Sequence, residues 1–291
     1  MLGNSLMVYL IPFILANSTT NYVLSKKNEK KLIAQFSDIQ ANKIPRSNGK
    51  FLVPDELKKL VKIIEDKIDK CNLNNLYNNL NSVIIKKNFL LLLIGVKGKY
   101  NSKDNILSYS LDGTIEHEFI HLASSQYDEE NNIWKIGFVD YSQKIVSMKA
   151  LNEGYTDLLT RRFFNKKTTF YSDEVRIVEF IELLFNKKEL EKYYFNNDLP
   201  GFIKHLSNYM DKENVIKFLL DFDRGFDLKK QGNPAYKILY TNLELKLCAL
   251  FEKHNKSLKK QFDYLNLLDR ATLTNVTHKV KAKIVNNKTI L

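Results

Sequence analysis

The chain has 291 residues, 44% apolar and 12% aromatic, enough for one large or two modest buried cores, which excludes a disordered or fibrous polypeptide. Lys plus Arg total 45 against 33 Asp plus Glu, and the formal net charge of +12 suits anionic surfaces, peptides or nucleic acid. The excess is mostly Lys spread among Asn, a solvated-surface pattern, and no zinc-finger or aromatic nucleic-acid signature accompanies it, so no specific nucleic-acid partner is expected. Cys71 and Cys248 form no Cys-x-x-Cys pair, which excludes a disulfide framework and a thiolate metal site and fits a cytoplasmic location.

The first apolar stretch, Leu6 to Ala16, is too short to span a bilayer and lacks a basic lead-in. It reads as a buried strand ended by Pro12, with a secretory signal, and hence secretion, as the alternative. A Lys-rich helical piece follows near Lys26 to Ile39. Pro54-Asp55-Glu56 then opens a stronger helix, in which Leu57, Leu60, Val61, Ile64 and Ile68 recur at helical spacing to about Lys70. The Asn-rich run Asn72 to Asn81 ends it. Val83 to Ile85 and Asn88 to Val96 read as strands, the second buried on both faces, and Asn105 to Tyr109 as a further short strand.

Residues 117 to 121 read His117-Glu118-Phe119-Ile120-His121. Side chains four apart share a helix face, so the two imidazoles can reach one ion. Ser110 or Asp112 is expected to cap this helix. Ile115, Phe119, Leu122 and Ala123 fall on the side away from the histidines. The plain alternative is a surface helix with two histidines in water, but the chain has only five histidines, which makes the spacing notable.

A second helix is predicted over Lys149 to Phe164, and thirty-one residues separate its Glu153 from His121. Glu153, Asp157 and Thr160 share one stripe of it. Glu153 is the candidate third metal ligand, since two histidines and a carboxylate leave a fourth position on zinc for water. Asp157 is placed to accept the outer ring N–H of a ligand histidine. Glu118, beside the open position, is the candidate general base. Gly154 costs about 1 kcal/mol in mid-helix, and close approach to the first helix is the expected compensation. Between the helices, Ile133 to Val139 is strand-like and predicts a hairpin or a flap over the cleft.

Beyond Phe164 the pattern is helical: Val175 to Phe185, Gly201 to Met210, Val215 to Phe222, Ala235 to Phe251 and Leu258 to Leu268. His205, His254 and His278 lack partners at ligand spacing. Thr277 to Val285 alternates in strand fashion.

The blocks Thr114 to Ser124 and Leu151 to Thr160 resemble the gluzincin group of zinc metallopeptidases, the thermolysin and aminopeptidase-like clan. Together they cover under a tenth of the chain. The resemblance implies one zinc ion per chain held by His117, His121 and Glu153, with Glu118 as base and Asp157 behind a ligand. It also implies a substrate-binding edge strand before the metal helix, for which Asn105 to Tyr109 is the candidate. No third histidine follows six residues after His121, which excludes a metzincin, and the Gly-x-Met-Glu-Asn motif of zinc aminopeptidases is absent. The interval to Glu153 is closer to that of clostridial neurotoxin light chains.

The expected architecture is α+β: a small mixed sheet with helices and a zincin-like helix pair in residues 1–165, and a mainly helical part in residues 166–291, which together could form one continuous unit. The expected function is a zinc endopeptidase acting on peptides or proteins. An oxyanion donor is expected from a Tyr or Arg of the helical part, with Tyr171, Tyr193, Tyr194, Tyr209 and Tyr236 all available. Two alternatives stand beside it: an inactive zinc-binding regulatory protein of the same fold, and a basic surface binder of nucleic acid or anionic membrane.

Overall fold

The computed structural model describes residues 53–93, 97–110, 114–143, 147–166 and 170–254, together with Lys31, Tyr264 and Leu267. The chain divides into two compact units, Met1–Gln40 and Ala41–Leu291, and the architecture below is that of the second. The predicted strand at Leu6 to Ala16, the helix at Lys26 to Ile39, the strand at Thr277 to Val285 and most of Leu258 to Leu268 lie outside the described residues.

The fold is α+β, with ten α-helices and two three-stranded sheets among the described residues. Helix α1 (Asp55–Glu65) starts behind Pro54 with two acids in its first turn, as predicted, and buries Leu57, Leu60, Val61 and Ile64. It stops short of Lys70. Helix α2 (Asn74–Leu80) occupies the Asn-rich run read from sequence as a break. Its asparagines have partners elsewhere in the fold: Asn75 donates to the Phe195 carbonyl at 2.9 Å, and Asn79 to the carbonyls of Leu122 and Ser125, both at 2.8 Å.

The first sheet has the order β1 (Ile84–Lys87), β3 (Ile106–Tyr109), β2 (Gly98–Asn101), with β1 parallel and β2 antiparallel to β3. The predicted strand at Asn105 to Tyr109 is therefore the sheet centre, not an edge. The edges are β1 and β2, and β2 was not predicted. Nor is Asn88 to Val96 a doubly buried strand: its described part contains the single-turn helix α3 (Leu90–Leu93), which has no buried residue. The Asn88 side chain accepts the Leu90 N–H at 3.0 Å, a local bond that competes with strand pairing.

Helix α4 (Ile115–Ala123) follows β3. Phe119, Ile120, Leu122 and Ala123 have no exposed surface, and His117 and His121 are also buried, so α4 is a central helix. A second, antiparallel sheet follows, β4 (Ser125–Asp128), β5 (Ile133–Ile136) and β6 (Val139–Asp140), in the region expected to form a hairpin. Helix α5 (Lys149–Phe164) has the predicted limits.

The helical remainder comprises α6 (Ser172–Leu183), α7 (Lys187–Phe195), α8 (Leu199–Leu206), α9 (Lys212–Lys230) and α10 (Ala235–His254). Helix α7 was not predicted; Asn186 caps it by accepting the Lys188 N–H. Buried Phe180, Phe202, Phe218 and Phe222 fill this part, each contributing about 1.5–3 kcal/mol by leaving water. Charges inside it are paired: Glu174, without exposed surface, accepts from Lys229 Nζ at 2.9 Å and from the Tyr240 hydroxyl at 2.7 Å. No helix of the described residues is long and apolar enough to cross a membrane.

Candidate metal centre

Two contacts aim α4 at the cleft. Instead of capping α4, the hydroxyls of Ser110 and Thr114 donate to the Lys97 carbonyl, at 2.6 and 3.0 Å, and tie the helix start to the beginning of β2. The predicted caps are thus not realised at Ser110, and Asp112 lies outside the described residues. At the other end Asn79 satisfies the carbonyls named above, and Asn197 donates to the Ser124 carbonyl at 2.6 Å.

Helix α5 is held at its N-terminus from a distance. Met148, at positive φ, supplies no cap, and Asp223 of α9 instead accepts the N–H groups of Met148 and Ala150, the latter at 2.8 Å. Burial pushes the Asp223 carboxyl up to about 7, against the pull of those two N–H groups. Asn152 accepts the Phe138 N–H at 3.1 Å, locking α5 to the turn between β5 and β6. Gly154 allows close approach, but to a different helix from the one expected: a Cβ there would lie 2.9 Å from the backbone carbonyl of Glu174 in α6.

With both helices fixed, His117, His121 and Glu153 converge. The two Nε2 atoms are 3.2 Å apart, and Glu153 Oε2 lies 3.3 Å from His117 Nε2 and 3.6 Å from His121 Nε2. A tetrahedral zinc with arms of roughly 2.0–2.1 Å needs donors roughly 3.3 Å apart, so this triangle has the dimensions of one face of such a site. The donor set, two imidazoles and a carboxylate, fits a divalent ion of that kind. Burial alone disfavours charge on His117, but the carboxylates of Asp157 and Glu153 outweigh it and push the imidazole up to about 10. Burial would raise Glu153, yet the two imidazoles hold it well below the usual carboxylate range.

Asp157, buried on the same stripe of α5, places Oδ1 3.8 Å from His117 Nδ1, on the outer side of the ring and beyond hydrogen-bond length. Its other oxygen accepts the Tyr171 N–H at 3.3 Å. The Nδ1 atoms of both histidines are buried without a hydrogen-bond partner.

Glu118 lines the same cavity. Burial raises its carboxyl above the usual range, while the two imidazoles and the Tyr100 N–H oppose that rise. Because the Tyr100 N–H turns to Glu118, the unpaired edge of β2 faces the cavity. Gly98 leaves the room Glu118 occupies: a Cβ there would lie 2.8 Å from Glu118 Cγ.

The cavity has a volume of about 510 Å³ and is walled by β2, α4, α5, Ile136, Tyr141, Phe170, Tyr171 and Lys230. Among the five tyrosines considered from sequence, Tyr171 alone is in that wall. Its ring lies 5.7 Å from that of His117, and burial and then the adjacent Glu153 carboxylate raise its phenol well above its ordinary range. Tyr194 is instead bonded to Thr156 in the interior, Tyr193 to Glu189, and Tyr209 to the Leu184 carbonyl. Tyr141, unanticipated, is also in the wall, stacked on Trp134 with centroids 4.8 Å apart, and burial pushes its phenol up to about 12. Lys97, Lys99 and Lys230 also line the cavity, and no sequence signal pointed to them. His205 bonds Glu189 at 2.9 Å and His254 packs on Tyr209; neither lines the cavity.

Comparison with protein-family models, curated proteins and solved structures gives no match.

Proposed function

We propose that the chain is a zinc-dependent metallopeptidase of gluzincin type, an endopeptidase that hydrolyses peptide bonds of peptide or protein substrates. The observation that carries this is the convergence of His117, His121 and Glu153 on one point inside an open cavity that also holds the Glu118 carboxyl. Those three side chains would hold the ion. When bound, zinc supplies a water of pKa about 7 and polarises the scissile carbonyl.

The chain's own groups account for the rest. Glu118, buried and facing the cavity, takes a proton from the attacking water and delivers it to the leaving amine. Asp157 positions His117 from behind, closing its 3.8 Å gap when Nδ1 carries the proton. Tyr171, kept protonated by burial, donates to the developing oxyanion, a role worth about 3–4 kcal/mol where such donors are preorganised. The free edge of β2 offers backbone groups to an extended substrate. A buried carboxyl positioned by Gly98 and the Tyr100 N–H favours turnover over the inactive, regulatory alternative.

The test compares metal content and cleavage of a peptide library for the native chain, Glu118→Gln and His121→Ala. About one zinc per chain is expected in the first two and loss of zinc in the third, with cleavage by the native chain only. Equal turnover by Glu118→Gln would refute the assigned base, and absence of cleavage by a zinc-loaded native chain would refute the peptidase.

A further inference from the structure

Among the described residues, seven large apolar side chains are more than a third exposed, and five of them fall between Ile84 and Leu93. Phe89, Leu90, Leu92 and Leu93 are 62%, 69%, 40% and 82% exposed, a cluster far denser than the scattered apolar residues of an ordinary surface. The backbone beneath them is already satisfied locally: Leu90 N–H donates to the Asn88 side chain, Leu91 to the Asn88 carbonyl and Leu92 to the Phe89 carbonyl. The result is a preformed apolar turn projecting from the connection that follows β1.

Its flanks are basic. From Lys70 to Lys103 the sequence contains six lysines and no Asp or Glu, although the chain as a whole has 33 acids. Lys86 and Lys87 precede the turn and Lys97 and Lys99 follow it, all four exposed. Lys87 Nζ stands 5.5 Å above the Phe89 ring, the arrangement in which an ammonium stays at the level of headgroups while its apolar neighbour goes deeper.

We propose that the Phe89–Leu93 turn is a docking surface for an anionic lipid bilayer, its four exposed side chains entering the headgroup and acyl boundary while the flanking lysines engage lipid phosphates and carboxylates. The charge selects this occupant. A second copy of the chain would bring like-charged lysine flanks together, and a nucleic acid would find three leucines and a single aromatic ring at the apex, where base stacking needs a series of rings.

The experiment sediments the full chain with phosphatidylcholine vesicles with and without phosphatidylserine, beside the double variant Phe89→Ser/Leu93→Ser and the double variant Lys86→Gln/Lys87→Gln. The native chain binds the phosphatidylserine vesicles, and added salt weakens it. The apolar variant loses at least tenfold in affinity, and the lysine variant about fivefold per lysine. Unfolding temperature and metal content stay native in both, since the altered side chains are exposed and none of them lines the cavity that holds the three ligands. Leu6 to Ala16 and the flanking lysines are unchanged in the apolar variant, so undiminished binding by it would overturn the proposal. Failure of the native chain to bind, or a variant that changes oligomeric state while vesicle binding is unaffected, would overturn it too. Peptidase activity is read separately and does not bear on these outcomes.

Discussion

Replacing Gly98 by Ala separates function from stability at the proposed active site. The new Cβ would lie 2.8 Å from Glu118 Cγ and 2.9 Å from Oε1, whereas ordinary contact begins at 3.4 Å, so the carboxyl must retreat by about 0.6 Å. That retreat costs less than a backbone clash would, because every obstructing atom belongs to the flexible Glu118 side chain. Gly98 is not at positive φ, so Ala adopts its backbone, and the reduced freedom of the unfolded chain returns about 0.4–1 kcal/mol. Net stability therefore changes by less than about 1 kcal/mol, or a few degrees in Tm. Catalysis is less tolerant: a base moved by a fraction of an ångström from the attacking water loses on the order of 10²-fold in kcat. Cleavage of a fluorogenic peptide, zinc per chain and thermal unfolding are measured together. Native-like turnover at native Tm would refute the packing of Glu118 on Gly98 or its role as base, and loss of zinc would show that the contact serves the ligands instead.

Asp157→Asn is expected to lower zinc affinity or activity by 10–100-fold, as measured by competition with a chelator; unchanged affinity would dissociate Asp157 from His117. Gly154→Ala places a Cβ 2.9 Å from backbone atoms of Glu174, which cannot swing aside, so overpacking of about 1–3 kcal/mol outweighs the helix-propensity gain and denaturant titration should report net destabilisation. Asp223 has a folded pKa raised to about 7 from an ordinary 3.8, so the folded state holds a proton that the unfolded state releases between those values. Its contribution to stability is therefore greatest below about pH 4 and is lost as pH rises to about 7; Asp223→Asn should flatten that part of the profile, and an unaltered profile would reject the assignment.

Much of the site was legible because its chemistry obeys helical spacing. His117 and His121 are one turn apart, Glu153 and Asp157 likewise, and both helices are long enough for periodicity to mark them; α5 begins and ends where its pattern does. What spacing could not convey is where side-chain hydrogen bonds go. The asparagines of α2 look like helix breakers in isolation and become favourable once Asn79 finds the carbonyls at the end of α4. Leu90 to Leu93 has the composition of a buried strand and no periodicity to deny it, yet Asn88 closes a turn there instead. Strand β2 is masked by two lysines and a glycine, and with it went the identity of the edge strand at the cavity and the positioning of Glu118. Tyr171 is one of many tyrosines in the chain; only the fold distinguishes it.

The cap that Asp223 places on α5 ties distant stretches of gene into one indivisible unit. A polypeptide cut after Phe164 would retain every proposed ligand and the base, but would leave the start of the helix carrying Glu153 unsatisfied and strip Gly154 of the neighbour it accommodates. Such a fragment should neither refold nor chelate, and recombination that exchanged the helical part for another would have to bring an equivalent acid to the same spot.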